Sequence, residues 1–341
     1  MNRPTVHDIA KEASVSLATV DRVLNARPGV RDKTIAKVQA AVDRLGYVRD
    51  TYAANLARQR HYRFVFVLPK GANQFTETLK TALSEAHSSH IADRVLTEVV
   101  TVPSYDPHAV VRALRALDTS KIDGVAILTP ETPHVRDAIA RLKDEGLAVV
   151  ALASDLPNTR RDYFIGINNI AAGRTAAQLM GRFVSGMGEI LVVTNSMRSR
   201  DSLERRLGFD AVMAGDFPRL TVLPSLESFD DAERMEQVIK EVVQSRPDLT
   251  GVYSMGFGNT PLLEALRRRK QLDGLAVITH ELTPITRKAL QNNEITAVIA
   301  QNAGHLVRSA LRVLRTVCDR LPIFEAQERI RIEIVLRENL P

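Results

Sequence analysis

The segment from Thr5 to Asn25 carries small polar and basic side chains at a spacing that suits the reading of duplex DNA. Apolar residues recur with a helical period over 6–13, and a second helical pattern covers 17–24. Ser14-Val15-Ser16 interrupts the period, and Ser16 stands where a side-chain oxygen would cap the second helix. A short helix after such a turn can enter the major groove, its N-terminal residues towards the base edges. The pattern predicts a helix-turn-helix; the alternative is a small helical hairpin without DNA contacts.

The positive charge of the chain is concentrated in the same region. Residues 1–62 contain eleven Lys and Arg against six Asp and Glu, which gives +5 of the formal net charge of +6. Such a segment neutralises phosphates and supplies an affinity that is independent of sequence and falls with salt. A solvated basic surface without a ligand would not explain why the excess coincides with the helix-turn-helix.

A longer motif continues this pattern to Tyr47. The letters DIA (8–10), VS (15–16), TVDRVLN (19–25) and LGY (45–47) together resemble the N-terminus of the lactose/galactose repressor family of bacterial transcription factors. The resemblance implies binding to a DNA operator by Thr5, Ser16, Leu17, Ala18, Thr19, Arg22, Asn25 and Tyr47.

Within this set, Leu17, Ala18 and Arg22 occupy the positions that face base edges in the family. Leu17 and Ala18 can offer only apolar contacts, for instance to thymine methyl groups, whereas Arg22 can pair with guanine. Phosphate contacts, which position the domain without specifying sequence, are expected from Thr19, Asn25 and Tyr47.

Two further segments complete the N-terminal part. An apolar stripe over 32–45 predicts a third helix that Gly46 ends. Residues 50–61 match the hinge segment of the family, and Leu56 matches the leucine that wedges into the minor groove. Such a wedge kinks the duplex at a cost on the order of a few kcal/mol. Arg49-Asp50 stands where family members usually have Pro-Asn, and a plain exposed linker helix is the alternative.

Length and composition describe a soluble protein of several domains. The chain has 341 residues, which is more than one compact core usually holds. Hydrophobic residues make up 45% and charged residues 25% of it, a composition typical of globular proteins. No apolar run approaches the roughly 20 residues that span a bilayer, and the polar N-terminus lacks signal-peptide features. The single cysteine, Cys318, cannot form an internal disulfide, so we expect it to pack in a core and the protein to be cytoplasmic.

From Tyr62 onwards, short apolar runs alternate with amphipathic helical patterns. Because nearly every position of these runs is apolar, they predict strands buried on both faces of parallel, doubly wound α/β sheets. The order of elements resembles that of periplasmic sugar-binding proteins, whose two lobes hold a ligand in the cleft. A C-terminal helix is expected over 305–321. The predicted strands are 63–69, 95–102, 123–128, 147–153, 163–167, 189–194, 220–226, 251–255, 275–280, 296–301 and a half-exposed final strand, 329–336.

The expected architecture is an all-α headpiece followed by a two-lobed domain of the periplasmic-binding-protein type I. A homodimer is expected, because the sequence shows no C-terminal leucine heptad tail. Such a tail makes some relatives tetramers. The expected boundaries are 1–49 for the headpiece, 50–61 for the hinge and 62–341 for the effector-binding and dimerisation domain, with lobe 1 over 62–160 plus 284–322 and lobe 2 over 161–283 plus the C-terminal strand.

Polar residues follow several predicted strands, where ligands of open α/β sheets bind. Carboxylates, amides and a guanidinium can hydrogen-bond vicinal hydroxyls, and an aromatic ring can stack on a sugar face. Arg205 matches the arginine that clamps ligand hydroxyls in many relatives, and Gln301 matches a common ligand amide. The alternative for each residue alone is a loop cap. The candidate ligand-binding residues are Asn73, Phe75, Asp155, Asn169, Arg205, Glu281 and Gln301.

Motifs for other chemistries are incomplete. Residues 256–258 begin like a dinucleotide fingerprint, but a proline replaces its third glycine. The histidines at 87, 90, 134 and 280 lack metal-ligand spacing, and we expect them at the surface or in loops. No GxSxG elbow or other nucleophile motif occurs. We therefore expect no enzyme, no cofactor and no metal.

These observations predict a sequence-specific transcriptional regulator, expected to repress genes for carbohydrate or polyol uptake or catabolism. Two headpieces would bind a near-palindromic operator, and a small sugar-like ligand in the cleft would change operator affinity. The alternative is a solute-binding protein without a regulatory role, which the headpiece and the polar N-terminus disfavour. No membrane partner is expected.

Overall fold

The computed structural model describes residues 4–24, 28–47, 61–70, 74–90, 94–104, 106–229, 231–256, 258–268 and 274–341. The chain divides into two compact units, residues 1–60 and 61–341. Within the described ranges, no helix has the length and apolar character needed to cross a membrane.

The N-terminal unit contains the predicted helices, α1 (Val6–Ala13), α2 (Leu17–Leu24) and α3 (Asp32–Leu45). Gly46 ends α3 in the left-handed conformation, with φ of 60°, which costs glycine little because it has no Cβ. The apolar stripes of the helices meet in a small core whose fully buried members are Ile9, Ala13, Val20, Val38 and Ala41.

The C-terminal unit begins with a parallel sheet in the order β2-β1-β3-β4-β5. Every residue of β3 and β4 is buried, as expected of strands that are covered on both faces. The strands are β1 (Tyr62–Lys70), β2 (Val95–Pro103), β3 (Gly124–Ile127), β4 (Ala148–Leu152) and β5 (Tyr163–Ile165), and the helices between them are α4 (Gln74–His90), α5 (Pro107–Ala116) and α6 (Pro133–Asp144).

A second sheet follows in the order β11-β10-β9-β8-β6-β7, parallel except for the antiparallel pair β10–β11. Its strands are β6 (Gly188–Thr194), β7 (Leu220–Glu227), β8 (Leu249–Ser254), β9 (Ala276–His280), β10 (Ala297–Ala300) and β11 (Glu333–Val335). The accompanying helices are α7 (Asn169–Phe183), α8 (Arg200–Asp216), α9 (Ala232–Ser245), α10 (Asn259–Arg268), α11 (Pro284–Gln291), α12 (Ala303–Cys318), the short α13 (Glu325–Glu328) and a 3-10 turn (Arg337–Asn339).

The two sheets share one topology, which fixes where a ligand can bind. In each sheet the strand order reverses between two parallel neighbours, β1 and β3 in the first sheet and β6 and β8 in the second. Ligands of such sheets bind at this switch point, outside the carboxyl ends of the strands. The predicted doubly wound α/β architecture is confirmed.

The division into lobes differs from the expected one. Strand β5 belongs to the first sheet, although 161–165 were expected in lobe 2, and β10 pairs with β9 in the second sheet, although 284–300 were expected in lobe 1. The reason is that the chain crosses to the second sheet only after β5 and returns to the first only after β10, where α12 packs back on β3, β4 and β5.

The C-terminal elements are also shorter than predicted. Helix α12 ends at Cys318 rather than at 321, since the residue before Pro322 is disfavoured in a helical conformation. The final strand pairs over 333–335 only, in place of 329–336. Cys318 packs half-buried against the core, as expected.

Candidate functional site

Helix α2 presents one face to solvent and the other to the core of the N-terminal unit. Val20 is fully buried, whereas Leu17, Ala18 and Arg22 are exposed, with 42% of Leu17 accessible. An apolar side chain as open as Leu17 on a short helix is available for contact with a groove. The three residues predicted to reach base edges therefore share the solvent-facing side of α2.

Side-chain caps fix the ends of the helices in this unit. The Oγ of Ser16 accepts a hydrogen bond of 3.2 Å from the backbone N–H of Thr19, and the two hydroxyl oxygens lie 2.9 Å apart. Thr5 caps α1 by reciprocal bonds with Asp8, and these bonds lower the pKa of the Asp8 carboxyl. Tyr47 packs half-buried against the core. Two other predicted DNA contacts, Asn25 and Leu56, lie outside the described residues.

A cavity of about 110 Å³ lies between the two sheets, at the carboxyl ends of their strands. One water molecule needs roughly 10–15 Å³ of such space, so the cavity can hold a small organic molecule. We call it the cleft cavity. It is lined by Pro69, Phe75, Ser104, Leu128, Thr129, Pro130, Ala153, Ser154, Thr194, Asn195, Ser199, Asp201, Ser202, Arg205, Met255, Gly256, Glu281 and Gln301.

Arg205 is the centre of a hydrogen-bond network in the cleft cavity. The side chain is only 3% exposed. Its Nε donates to Oδ1 of Asn169 at 2.8 Å, its Nη1 to the carbonyl of Met255 at 2.7 Å, and its Nη2 to Oε1 of Glu281 at 3.3 Å. Gln301 also donates to that Glu281 oxygen, at 3.0 Å. The network therefore joins four of the predicted ligand-binding residues.

The position of Arg205 depends on close packing of α7 against α8. A Cβ at Gly173 would lie 2.0 Å from the carbonyl oxygen of Arg205, and a Cβ at Gly208 would lie 2.1 Å from the carbonyl oxygen of Ile170. Only glycine lets the two backbones approach this closely. This approach brings Asn169, at the start of α7, within reach of the guanidinium.

Three buried polar atoms at this network lack a hydrogen-bond partner among the described protein groups. They are Nδ2 of Asn169, Oε2 of Glu281 and Oε1 of Gln301. A buried polar atom without a partner costs about 1–3 kcal/mol. Glu281 and Gln301 line the cleft cavity, so a ligand that carries hydroxyl groups would satisfy the two acceptors.

Burial shifts the pKa values of two ionisable groups here. It raises the pKa of the Glu281 carboxyl above its ordinary value, against the opposing charge of Arg205. It also lowers the pKa of His280 well below the usual value, and the Arg205 charge adds to this effect. His280 is therefore neutral, and its Nε2 shares a 2.8 Å hydrogen bond with the hydroxyl of Tyr253. The expectation that His280 lies at the surface or in a loop is wrong, because it ends β9 with no exposed area.

The structure does not place every predicted residue at the cleft cavity. Phe75 lines it, but Asn169 and Asp155 do not. Asn169 instead contacts Arg205, and the Asp155 carboxylate forms a two-pronged pair with Arg161, with one contact of 2.8 Å. Asn73 lies outside the described residues. The neighbouring Ser154 lines the cavity instead, and its Oγ donates to Oδ1 of Asp201 at 3.0 Å.

Asp201 is a lining residue that the sequence reasoning missed. It lies in the first turn of α8, which begins shortly after the carboxyl end of β6. Its position beyond the end of a strand was a usable signal, since the same rule selected the other candidates.

Comparison with known families gives this geometry a context. Residues 64–320 match the family described as "Periplasmic binding protein domain", and residues 5–50 match "Bacterial regulatory proteins, lacI family". The chain belongs to the periplasmic binding protein family and carries a lacI-family domain. The resemblance stated from the sequence is thereby confirmed. The lacI-family match covers α1, α2 and α3.

Individual relatives agree with both assignments. The HTH-type transcriptional regulator DegA of Bacillus subtilis (strain 168) is 27% identical over 177 residues, which are 52% of this chain and 51% of DegA. The chain spans about half the length of the curated relatives it matches.

Two solved structures share the fold of the C-terminal unit. An ABC transporter solute-binding protein from Burkholderia graminis C4D1M, in complex with D-arabinose, is 23% identical with a TM-score of 0.73, covering 82% of this chain and 96% of its own. A putative LacI transcriptional regulator from Bacteroides fragilis is 18% identical with a TM-score of 0.70, covering 82% and 98%.

Proposed function

We propose that the protein is a DNA-binding transcriptional regulator that represses genes for sugar or polyol uptake or breakdown. The observation that carries this proposal is the presence of two sites in one chain. One is a helix-turn-helix with an exposed reading face, and the other is a cleft cavity with buried polar atoms that need a partner. A regulator of this kind acts where the chromosome is, in the cytoplasm.

In the proposed DNA complex, α2 lies in the major groove. Arg22 contacts a guanine, and Leu17 with Ala18 contacts thymine methyl groups. The relative DegA, named as an HTH-type transcriptional regulator, supports this role for the lacI-family domain.

The active species in this proposal is a homodimer on a near-palindromic operator, because a two-fold protein matches a two-fold site. Leu56 wedges into the minor groove between the two half-sites. Its replacement, Leu56→Ala, weakens binding to the operator more than binding to unrelated DNA. Equal losses on both duplexes, measured by fluorescence anisotropy, would remove Leu56 from this role.

In the ligand complex, the cleft cavity holds a small polyhydroxylated molecule against Arg205, Asn169, Glu281 and Gln301. Phe75 provides the aromatic surface. The Burkholderia protein with the same fold is a solute-binding protein solved with D-arabinose, which supports a sugar-like ligand. The ligand regulates by binding one arrangement of the lobes more tightly than the other.

Selection of duplexes from a random pool by the full-length protein tests the DNA-binding part. We expect an enriched, near-palindromic sequence. Arg22→Ala should then cost about 1–3 kcal/mol of discrimination at one base pair. Lys37→Ala, which removes an exposed charge from α3, is the matched control and should leave the preferred sequence unchanged. A failure to enrich any sequence would overturn the proposal.

A further inference from the structure

The charges of the cleft cavity do not balance. Among the described residues, the charged side chains that line it are the carboxylates of Asp201 and Glu281 and the guanidinium of Arg205. The structure therefore brings two acids and one base to the space in which a ligand would lie. An uncompensated charge in a buried site is costly.

The single guanidinium is already engaged by the protein. Each nitrogen of Arg205 donates to a protein oxygen, on Asn169, Met255 and Glu281. Three of its five N–H groups are thereby committed to protein oxygens. This matters because a sugar phosphate or a sugar acid would need a free guanidinium or ammonium.

Nearby arginines do not supply the missing positive charge. Arg200 pairs with Glu204 at 2.6 Å, and Arg206 pairs with Asp210 at 2.7 Å and with the carbonyl of Leu223 at 3.0 Å. Neither arginine is among the lining residues. Arg200 and Arg206 are therefore held in ion pairs outside the cleft cavity, and the exposed Arg198 is not a lining residue either.

The polar atoms that remain are mostly acceptors. Oε2 of Glu281 and Oε1 of Gln301 are buried without a partner among the described residues of the protein. Asp201 lies in the first turn of α8 and accepts a hydrogen bond from the hydroxyl of Ser154. Carboxylate oxygens are hydrogen-bond acceptors, so the ligand must supply donors. A donor that carries a positive charge would also neutralise the excess negative charge of the cleft cavity.

We propose that the ligand of the cleft cavity is an amino sugar or an amino polyol, whose protonated amine lies against Asp201 and Glu281. The inference rests on the proposed ligand-binding function and narrows it. The hydroxyl groups of the ligand satisfy Gln301, while the ammonium neutralises the excess carboxylate. Anionic sugars are rejected, because like charges at close range oppose binding.

The test compares matched sugars on the full-length protein. For glucose, galactose and mannose, the neutral hexose, its 2-amino derivative, its 6-phosphate and its uronic acid are each titrated by calorimetry and by thermal shift. We expect, in at least one of the three series, an amino sugar whose Kd is about tenfold below that of the neutral parent. The 6-phosphate and uronic acid of that series should not bind measurably.

Variants then assign the effect to the carboxylates. Asp201→Asn and Glu281→Gln should each reduce the preference for the amine over the neutral parent to about threefold or less. Glu204→Gln is the control, because it removes a carboxylate from the same helix outside the cleft cavity, and it should keep the tenfold preference. Should Glu281→Gln fail to fold, the half-buried Asp201 still provides the measurement.

Each other outcome overturns the inference. A neutral hexose that binds as tightly as its amine, or a phosphate or uronic acid that binds best, contradicts the charge argument and leaves the proposed regulator intact. The absence of any thermal shift across all series would reject the amino sugar. Extending the panel to pentoses and polyols then shows whether the sugar-like ligand class itself also fails.

Discussion

The two units of the molecule build their candidate sites in opposite ways. In the N-terminal unit the caps join residues three apart, Thr5 with Asp8 and Ser16 with Thr19, and the reading side chains are exposed. In the C-terminal unit the partners of Arg205 lie 36, 50 and 76 residues away, and the side chain is buried. The DNA-reading site is therefore organised by residues close together in sequence and stays exposed, whereas the cleft network is organised by residues far apart in sequence.

This difference has an energetic consequence. The N-terminal unit has a small core, and a domain of this size rarely draws more than about 3–5 kcal/mol from its core. The cleft network, in contrast, is held by two extensive sheets and by tight helix contacts. Changes at the cleft network should therefore cost stability as well as ligand binding, and changes on the reading face should cost DNA binding alone.

The largest effect is expected from Arg205→Ala. Removing the guanidinium leaves the Glu281 carboxyl buried beside unpaired amides, so unfolding of residues 61–341 should become easier by about 3–5 kcal/mol. Urea unfolding of the full-length protein measures this change. Arg200→Ala, which removes a half-exposed arginine from the same helix, should cost less than about 1 kcal/mol. Equal losses would show that burial of Arg205 does not matter.

The next effect separates the two units. Ile9→Ala removes a fully buried side chain from the small core, at a cost of about 2–5 kcal/mol, enough to unfold that unit. Hydrogen exchange of the full-length protein should then rise throughout 4–47 and stay unchanged in the two sheets. The control is Ile35→Ala, since Ile35 is 40% exposed. Faster hydrogen exchange in the two sheets would contradict the expectation that the N-terminal unit unfolds without the C-terminal unit.

A smaller loss is expected where α7 and α8 touch. In Gly173→Ala the new methyl group would meet the carbonyl oxygen of Arg205, so the helices must separate, at a cost of about 1–3 kcal/mol. Gly215→Ala, on α8, meets no atom within 4 Å and should gain about 0.5–1 kcal/mol. Urea unfolding distinguishes the two, and a neutral Gly173→Ala would refute the close-packing argument.

The smallest effect is a pH dependence at His280. Its pKa is lowered in the folded state, so the unfolded state takes up a proton first as the pH falls below 6.5. The stabilisation is complete above that pH and is lost progressively below it. His280→Gln should remove this part of the decline while keeping a group that can bond Tyr253. Parallel stability curves for the two proteins from pH 7 to 5 would contradict the assignment.

Local periodicity was sufficient for the elements but not for their assembly. The bounds of α1, α2 and α3 follow from apolar spacing and end signals such as Gly46. The strands follow from continuous apolar runs. The lobe of β10 does not follow, because it depends on pairing with β9 rather than on its own residues.

For the candidate site, individual residues could be predicted from the sequence, but their contacts with one another could not. The rule that ligands bind beyond strand ends selected Glu281 and Gln301, and the family resemblance selected Arg205; the structure brings the three together. The strand-end rule also selected Asp155, whose nearby Arg161 captures the carboxylate. The burial of His280 depends on which helix covers which strand, and no local pattern encodes that. Asp201, in contrast, follows a strand end and could have been selected by the same rule.

The coupling between the two sites is the central claim, and a linkage measurement tests it most directly. The Kd of the selected duplex is measured with and without the compound that gives the largest thermal shift, and the Kd of the compound with and without duplex. The account predicts that both change by the same factor, about 5–150-fold, and that Arg205→Ala binds the duplex but does not respond. An unchanged duplex Kd at saturating compound would contradict it.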